Sequence, residues 1–236
     1  MLDRLKRKII HNPLTGRAYL SMRYGWPYQS IHPYLDIPGW LSIPEAVALF
    51  RVGAFEMPAQ YTNVVEIGSW VGKSSVVLGK ALQKRGTGTL YCIDPFDTSG
   101  DEESHQAYQT AQKNFKITPL ETFQKNIHHF HLEDQIETLQ GFSHDFSKEW
   151  DKPIGFLFID GNHDYDAVLR DFLEWSPHLV PGGIIAFHDV YFDENGKPTG
   201  RFPGPAQVIA KHIQPEGGWQ KPRQIDTLFL AQKAFN

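Results

Sequence analysis

From residue 62 onward, short apolar runs alternate with stretches of helical period, and that alternation leaves few architectures open. The segments "TNVVEIG", "GTLYCIDPF", "QIETLQG", "IGFLFIDG", "GGIIAFHDV" and "IDTLFLAQK" read as strands. Between them, "KSSVVLGKALQKR", "ETFQKNIHHFHL", "DAVLRDFLEWSPHL" and "AQVIAKHI" place apolar side chains at helical spacing. Strands apolar at consecutive positions need cover on both faces. The expectation is an α/β protein with a mostly parallel sheet and helices on both sides.

The first 45 residues have a different character. "YGWPYQSIHPYLDIPGWLSIPEA" is rich in aromatics, and its prolines and glycines are expected to break any long helix. A short helix should begin after Ser42, an N-cap, with Pro44 in its first turn. Residues 1–45 are therefore set apart as an aromatic-rich segment, a lid over a pocket or an oligomer contact, and 46–236 form the main domain. The polar stretch "DTSGDEESHQAYQTAQKNF" (97–115) is expected as a surface insertion or mobile lid.

Composition narrows the partners. A length of 236 residues, with 41% hydrophobic and 21% charged residues, suits one large domain with a sizeable core. A net charge of −4 without a long basic run argues against a nucleic-acid groove. No apolar run is long enough to span a bilayer, and "MLDRLKRKII" lacks the apolar core of a signal peptide. The expectation is a soluble, cytoplasmic protein. Cys92 is the single cysteine, which excludes an intramolecular disulfide and disfavours a cysteine zinc site.

"VVEIGSWVGKSS" (64–75) mimics a phosphate loop, but the spacing fails. A P-loop needs four residues between its glycines; Gly68 and Gly72 enclose only Ser69, Trp70 and Val71. A dinucleotide fingerprint fails as well, because Trp70 stands where the middle glycine belongs. What remains is an acid, a spacer and G-x-x-x-G at a strand-to-helix turn. Glu66 would repel phosphate but pair with an ammonium, while the helix N-terminus can hold a carboxylate. An amino and a carboxylate group together describe an amino acid; with adenosine attached, S-adenosylmethionine. Asp94 ends the next strand where an acid can accept both ribose hydroxyls. The plainer alternative is a glycine turn with no ligand.

"VVEIGSWVGKSS" followed by "YCIDPF" resembles the class I S-adenosylmethionine-dependent methyltransferases, in particular the metal-dependent O-methyltransferases of the catechol type. That resemblance covers about residues 60–230. It implies a Rossmann-like, seven-stranded sheet, Ser74 at the methionine carboxylate, and, through "GFSHD", Ser143 and His144 beside the adenine.

A second constellation lies downstream in "IDGNHDY" and "AFHDV". Asp160 with His163, and His188 with Asp189, sit at the ends of consecutive strands, which face one crevice in an open α/β sheet. Converging carboxylates suit a hard divalent cation such as Mg²⁺, and Asp160 also borders the expected cofactor site. A metal-bound hydroxyl is easier to deprotonate, and His163 is the best candidate base. These motifs resemble the macrocin/mycinamicin sugar O-methyltransferases and the cephalosporin-hydroxylase-like group. The resemblance implies Asp160 and Asp189 as metal ligands and His163 as base. One departure stands out: His188 replaces the first acid of that group's acidic pair, so Asp160, His188 and Asp189 are the expected ligands, and a histidine among them admits Mn²⁺, Fe²⁺ or no metal.

The expected activity is methyl transfer to a hydroxyl of a small molecule, a sugar or phenolic natural product, by a chain that forms homo-oligomers or acts alone. Metal-free N- or C-methylation and non-catalytic cofactor binding stay open. The cluster of His128, His129 and His131 is expected as solvated surface, and Trp26, Trp40 and Trp175 as core, with Trp70 the exception inside the cofactor loop.

Overall fold

The computed structural model describes residues 13–112, 117–214 and 217–235; the basic start of the chain lies outside them. The N-terminal half runs α1 (Pro13–Ile31), α2 (Ile43–Arg51), β1 (Asn63–Ile67), α3 (Lys73–Arg85), β2 (Thr89–Asp94), α4 (Glu102–Gln112) and α5 (Pro119–His129). There follow β3 (Ile136–Gln140), α6 (Ser143–Phe146), β4 (Ile154–Ile159), α7 (Tyr165–Trp175), β5 (Leu179–Phe187), α8 (Pro203–Val208), β6 (Trp219–Ile225) and β7 (Leu228–Lys233). The seven strands form one sheet ordered β3-β2-β1-β4-β5-β7-β6. The first five are parallel; β7 runs antiparallel to both β5 and β6.

Strand alternation divides the core in two. Val64, Leu90, Phe156, Phe158 and Ala186 face one side, under α2 and α3. Their neighbours Val65, Tyr91, Leu157, Ile159 and Ile185 face the other, where Val168, Phe172 and Trp175 of α7 cover them. Each such fully buried large side chain contributes about 1.5–3 kcal/mol. This is the double-sided burial that consecutive apolar strand positions require.

The structure refines three expectations. The N-terminal segment is helical rather than irregular, but its helix is broken as expected: α1 is two helical pieces joined at Gly25 (φ 64°, ψ −147°), after which Pro27 restarts the helix. Within the polar stretch 97–115, α4 occupies Glu102–Gln112. The final strand is a hairpin: Ile225 closes β6, and β7 begins at Leu228. The missed strand β6, "WQKPRQI", is largely exposed and carries Pro222, which a sheet edge tolerates. Ser42 caps α2 as expected, with its hydroxyl accepting from Glu45 N and the Glu45 carboxylate accepting from Ser42 N at 2.8 Å. The expected domain boundary at 45/46 falls within α2.

Among the tryptophans, Trp175 is fully buried as expected, but Trp26 and Trp40 are 43% and 55% exposed. The histidine cluster does have an acidic neighbour: exposed His128 bonds Glu133 at 2.5 Å.

Candidate active site and cofactor pocket

The sheet order reverses between β1 and β4, so the C-terminal ends of β1, β2, β4 and β5 open onto one crevice. The loop from β1 to α3 crosses it. Gly68 adopts φ +90°, and a Cβ there would lie 2.1 Å from the Asp160 carbonyl oxygen, so only glycine lets the two strand ends meet. Gly72, also at φ +90°, opens α3. Asp94 holds the loop's shape, accepting from Ser69 N at 2.9 Å, Trp70 N at 2.8 Å and Phe96 N at 2.6 Å. Burial pushes its carboxyl up, against the pull of those three amides.

Glu66 sits elsewhere than the spacing implied. It is fully buried beneath the loop, accepting from Ser69 Oγ at 2.8 Å, from Ser75 Oγ and from the Cys92 thiol. Burial drives its carboxyl up. It borders neither of the two clefts that flank the loop.

The smaller cleft, about 250 Å³, lies between the ends of β2 and α7 and is lined by Gly68, Trp70, Asp94, Ser143 and His144. The Ser143 hydroxyl donates to Asp171, whose carboxyl burial pushes up to about 6. His144 Nδ1 is buried without a hydrogen-bond partner. The larger cleft, about 580 Å³, continues past Gly68, Ser69 and Ser74 to Asp160, His163, His188 and Asp189. Tyr108 and Trp70 stack at 5.4 Å and border both clefts, with Trp40 5.0 Å from Trp70. Every expected cofactor residue except Glu66 and Gly72 therefore faces one of the two clefts.

The acidic end of the larger cleft is a network of carboxylates and imidazoles. His188 Nδ1 lies 3.1 Å from Asp160 Oδ1 and 3.4 Å from Asp189 Oδ2, while its Nε2 lies 3.3 Å from Glu45 Oε2. Both ring nitrogens are thus engaged by carboxylates; burial disfavours the charged ring, but Asp160, Asp189 and Glu45 outweigh it and raise its pKa well above the usual value. His163 Nδ1 lies 2.9 Å from Asp101 Oδ2; its buried Nε2 comes within 3.2 Å of Asp189 Oδ2 without making a hydrogen bond. Burial lowers the His163 pKa, but the carboxylates of Asp101 and Asp189 outweigh it and raise it to about 9. Asp189, at φ 53°, is held well below the usual carboxylate range by the two histidines, despite its burial.

The metal-capable constellation differs from the expected one by one member. Ligand atoms of Asp160, His163 and Asp189 lie within 4.8 Å of one another. His188, expected as the third ligand, braces the two aspartates from behind. Four further residues escaped the sequence reading: Glu45 from the N-terminal segment, Asp101 just before α4, and Ser104 and Tyr108 within it. The pattern Asp101-x-x-Ser104 is a helix N-cap signal in the sequence, but nothing local tells where that helix docks.

A mostly parallel seven-stranded sheet with an antiparallel β7, and a glycine loop between two clefts at its switch point, define the Rossmann-like methyltransferase fold. The family model described as "Methyltransferase domain" (Methyltransf_24) matches residues 65–190, more than half of the chain. The chain belongs to that family, as a class I S-adenosylmethionine-dependent methyltransferase domain. Solved structures carry the same fold at low identity. Cofactor-bound Rv0187 from MTB aligns with TM-score 0.63 and 17% identity, over 95% of this chain and 99% of that one. The O-methyltransferase TomG from Streptomyces achromogenes, in complex with SAM, gives 0.62 and 17% over 94% and 96%. An O-methyltransferase from Bacillus cereus in complex with SAH gives 0.57 and 17% over 92% and 96%.

 Among curated proteins, R132 of Acanthamoeba polyphaga mimivirus is 30% identical over 130 residues, 53% of this chain. The chain spans 50% of the length of that relative.

Proposed function

We propose that this protein transfers the methyl group of S-adenosylmethionine to a hydroxyl of a small-molecule acceptor, a sugar or phenolic compound, assisted by a divalent cation such as Mg²⁺. The observation that carries this reading is the Asp160, His163 and Asp189 cluster on the wall of the cleft that begins at the glycine loop. The small cleft suits adenosine, with Asp94 for the ribose and Ser143 and His144 for the base; the buried, unpartnered His144 Nδ1 is a group that a ligand would satisfy. Ser69, Trp70 and Ser74 would hold the methionine end, while Glu66 supports the loop from below.

Asp160 and Asp189 supply two carboxylates that fit a hard cation, which leaves His163 Nε2, with no hydrogen bond of its own, free for the proton. Bound there, the cation would orient the acceptor hydroxyl and lower its pKa. The chain's own residues do the rest. The cleft walls align the acceptor oxygen with the methyl carbon, opposite the sulfur. As the O–C bond forms and the C–S bond breaks, the sulfur takes the bonding pair. The hydroxyl proton passes to a base, for which His163 Nε2 is placed in its neutral form. His188, held between Glu45 and the two aspartates, keeps both carboxylates facing the cleft.

A metal-free reading has one observation in its favour. Cationic His188 already neutralises part of the Asp160 and Asp189 charge. Calorimetric titration of S-adenosylhomocysteine, with Mg²⁺ and with EDTA, separates the two. Binding lost in Asp94→Ala supports the cofactor site, and a Mg²⁺ signal lost in Asp160→Ala supports the metal. Cofactor binding without any metal response selects the metal-free reading, and no cofactor binding overturns the proposal.

A further inference from the structure

We propose that Asp101, at the start of α4, is a positioning residue that fixes the His163 ring with Nδ1 protonated and Nε2 turned to the cleft. The inference rests on the functional reading above only for its consequence; the ring geometry stands by itself. It holds whether Nε2 serves as a base or as a metal ligand.

The argument is one of donors and acceptors. Asp101 Oδ2 accepts from the His163 backbone N–H at 3.2 Å and lies 2.9 Å from His163 Nδ1. Ser104 Oγ donates its single proton to the same Oδ2 at 2.7 Å, and it also lies 3.1 Å from Nδ1. With that proton committed, Ser104 can only accept from Nδ1, and an ionised Asp101 can only accept as well. Both neighbours of Nδ1 are acceptors, so Nδ1 carries the hydrogen. In the neutral ring, Nε2 is then the free lone pair.

The placement is rigid. Asp101 also caps α4, accepting from Ser104 N at 2.9 Å through Oδ1, so its carboxylate cannot turn without releasing the helix. Phe202 stacks on the other side of the assembly, 4.3 Å from the His163 ring at 29°, and fixes the ring plane. His163 and Asp101 are both only 8% exposed, which keeps water from replacing the contact. A carboxylate on the far nitrogen of a working imidazole sets its tautomer and orientation in bases and metal ligands alike.

The test reads the ring directly, in ¹⁵N-histidine-labelled protein, at neutral pH and again above pH 9, where the ring loses a proton and the two nitrogens become distinguishable. A slowly exchanging proton on His163 Nδ1, assigned by its loss in His163→Gln, is expected in the unmodified chain. It should vanish into solvent exchange in Asp101→Ala and shift upfield in Asp101→Asn, which keeps the shape and tests the charge. Near-ultraviolet circular dichroism checks that each variant is folded, and Asp101→Asn serves if Asp101→Ala is not. An absent signal in the unmodified chain, or one unchanged in the folded variants, overturns the proposal. S-adenosylhomocysteine titration of the same samples reads the functional proposal separately: its failure in the unmodified chain sinks the methyltransferase role without touching the ring assignment.

Discussion

At the residue scale, chemistry and stability rest on different side chains. His163→Ala should lower turnover about 10²–10⁴-fold, the usual contribution of a positioned base, with S-adenosylhomocysteine affinity unchanged by calorimetry. Glu45 illustrates a structural role. Burial pushes its carboxyl up, but hydrogen bonds from His188, Thr227 and Ser42 hold it at about 2. Glu45→Ala leaves the buried His188 Nε2 without its carboxylate, though Nδ1 keeps Asp160 and Asp189, and should cost about 1–3 kcal/mol in urea unfolding. Asp171 gives the opposite pH dependence. Its folded pKa, about 6, lies above the unfolded value, so its contribution is complete below pH 3.8 and is lost as pH rises through 6. Comparing urea unfolding at pH 4.5 and pH 7.5 should show about 2 kcal/mol of this loss, absent from Asp171→Asn.

At the scale of the element, the glycine loop and the helix caps decide the local geometry. Gly68→Ala asks a Cβ to occupy the space of the Asp160 carbonyl at an unfavourable φ. It should abolish S-adenosylhomocysteine binding in calorimetry, because the loop must move to relieve the clash. Much of this element was legible: α3 begins and ends at Lys73 and Arg85, as its period and flanking glycines implied. The kink in α1 was not, because a glycine and a proline two residues apart signal a helix break equally well. Only packing of Leu20, Tyr28 and Ile31 against the core favours two joined helical pieces over a loop.

At the scale of the whole molecule, the N-terminal segment is part of the fold. Leu20, Tyr28, Ile31 and Ile37 are buried in the cluster beneath α2 and α3. Each contributes about 1.5–3 kcal/mol, so removing residues 1–41 takes away a sum comparable with the whole stability of a domain. The truncated chain should show no cooperative thermal unfolding transition. Through Glu45 and Trp40, the region after α1 also reaches the larger cleft, which ties that cleft to a part of the chain outside the family match.

The sequence by itself determined the alternation of strands and helices, the glycine loop, and the presence of Asp160, His163, His188 and Asp189 at strand ends, because periodicity and turn chemistry are local. Tertiary structure decided what those side chains do. His163 meets Asp101 across 62 residues of chain, and His188 meets Glu45 across 143. Whether an imidazole faces the cleft or braces a carboxylate depends on which distant helix supplies the partner of each ring nitrogen, and no local pattern encodes that docking.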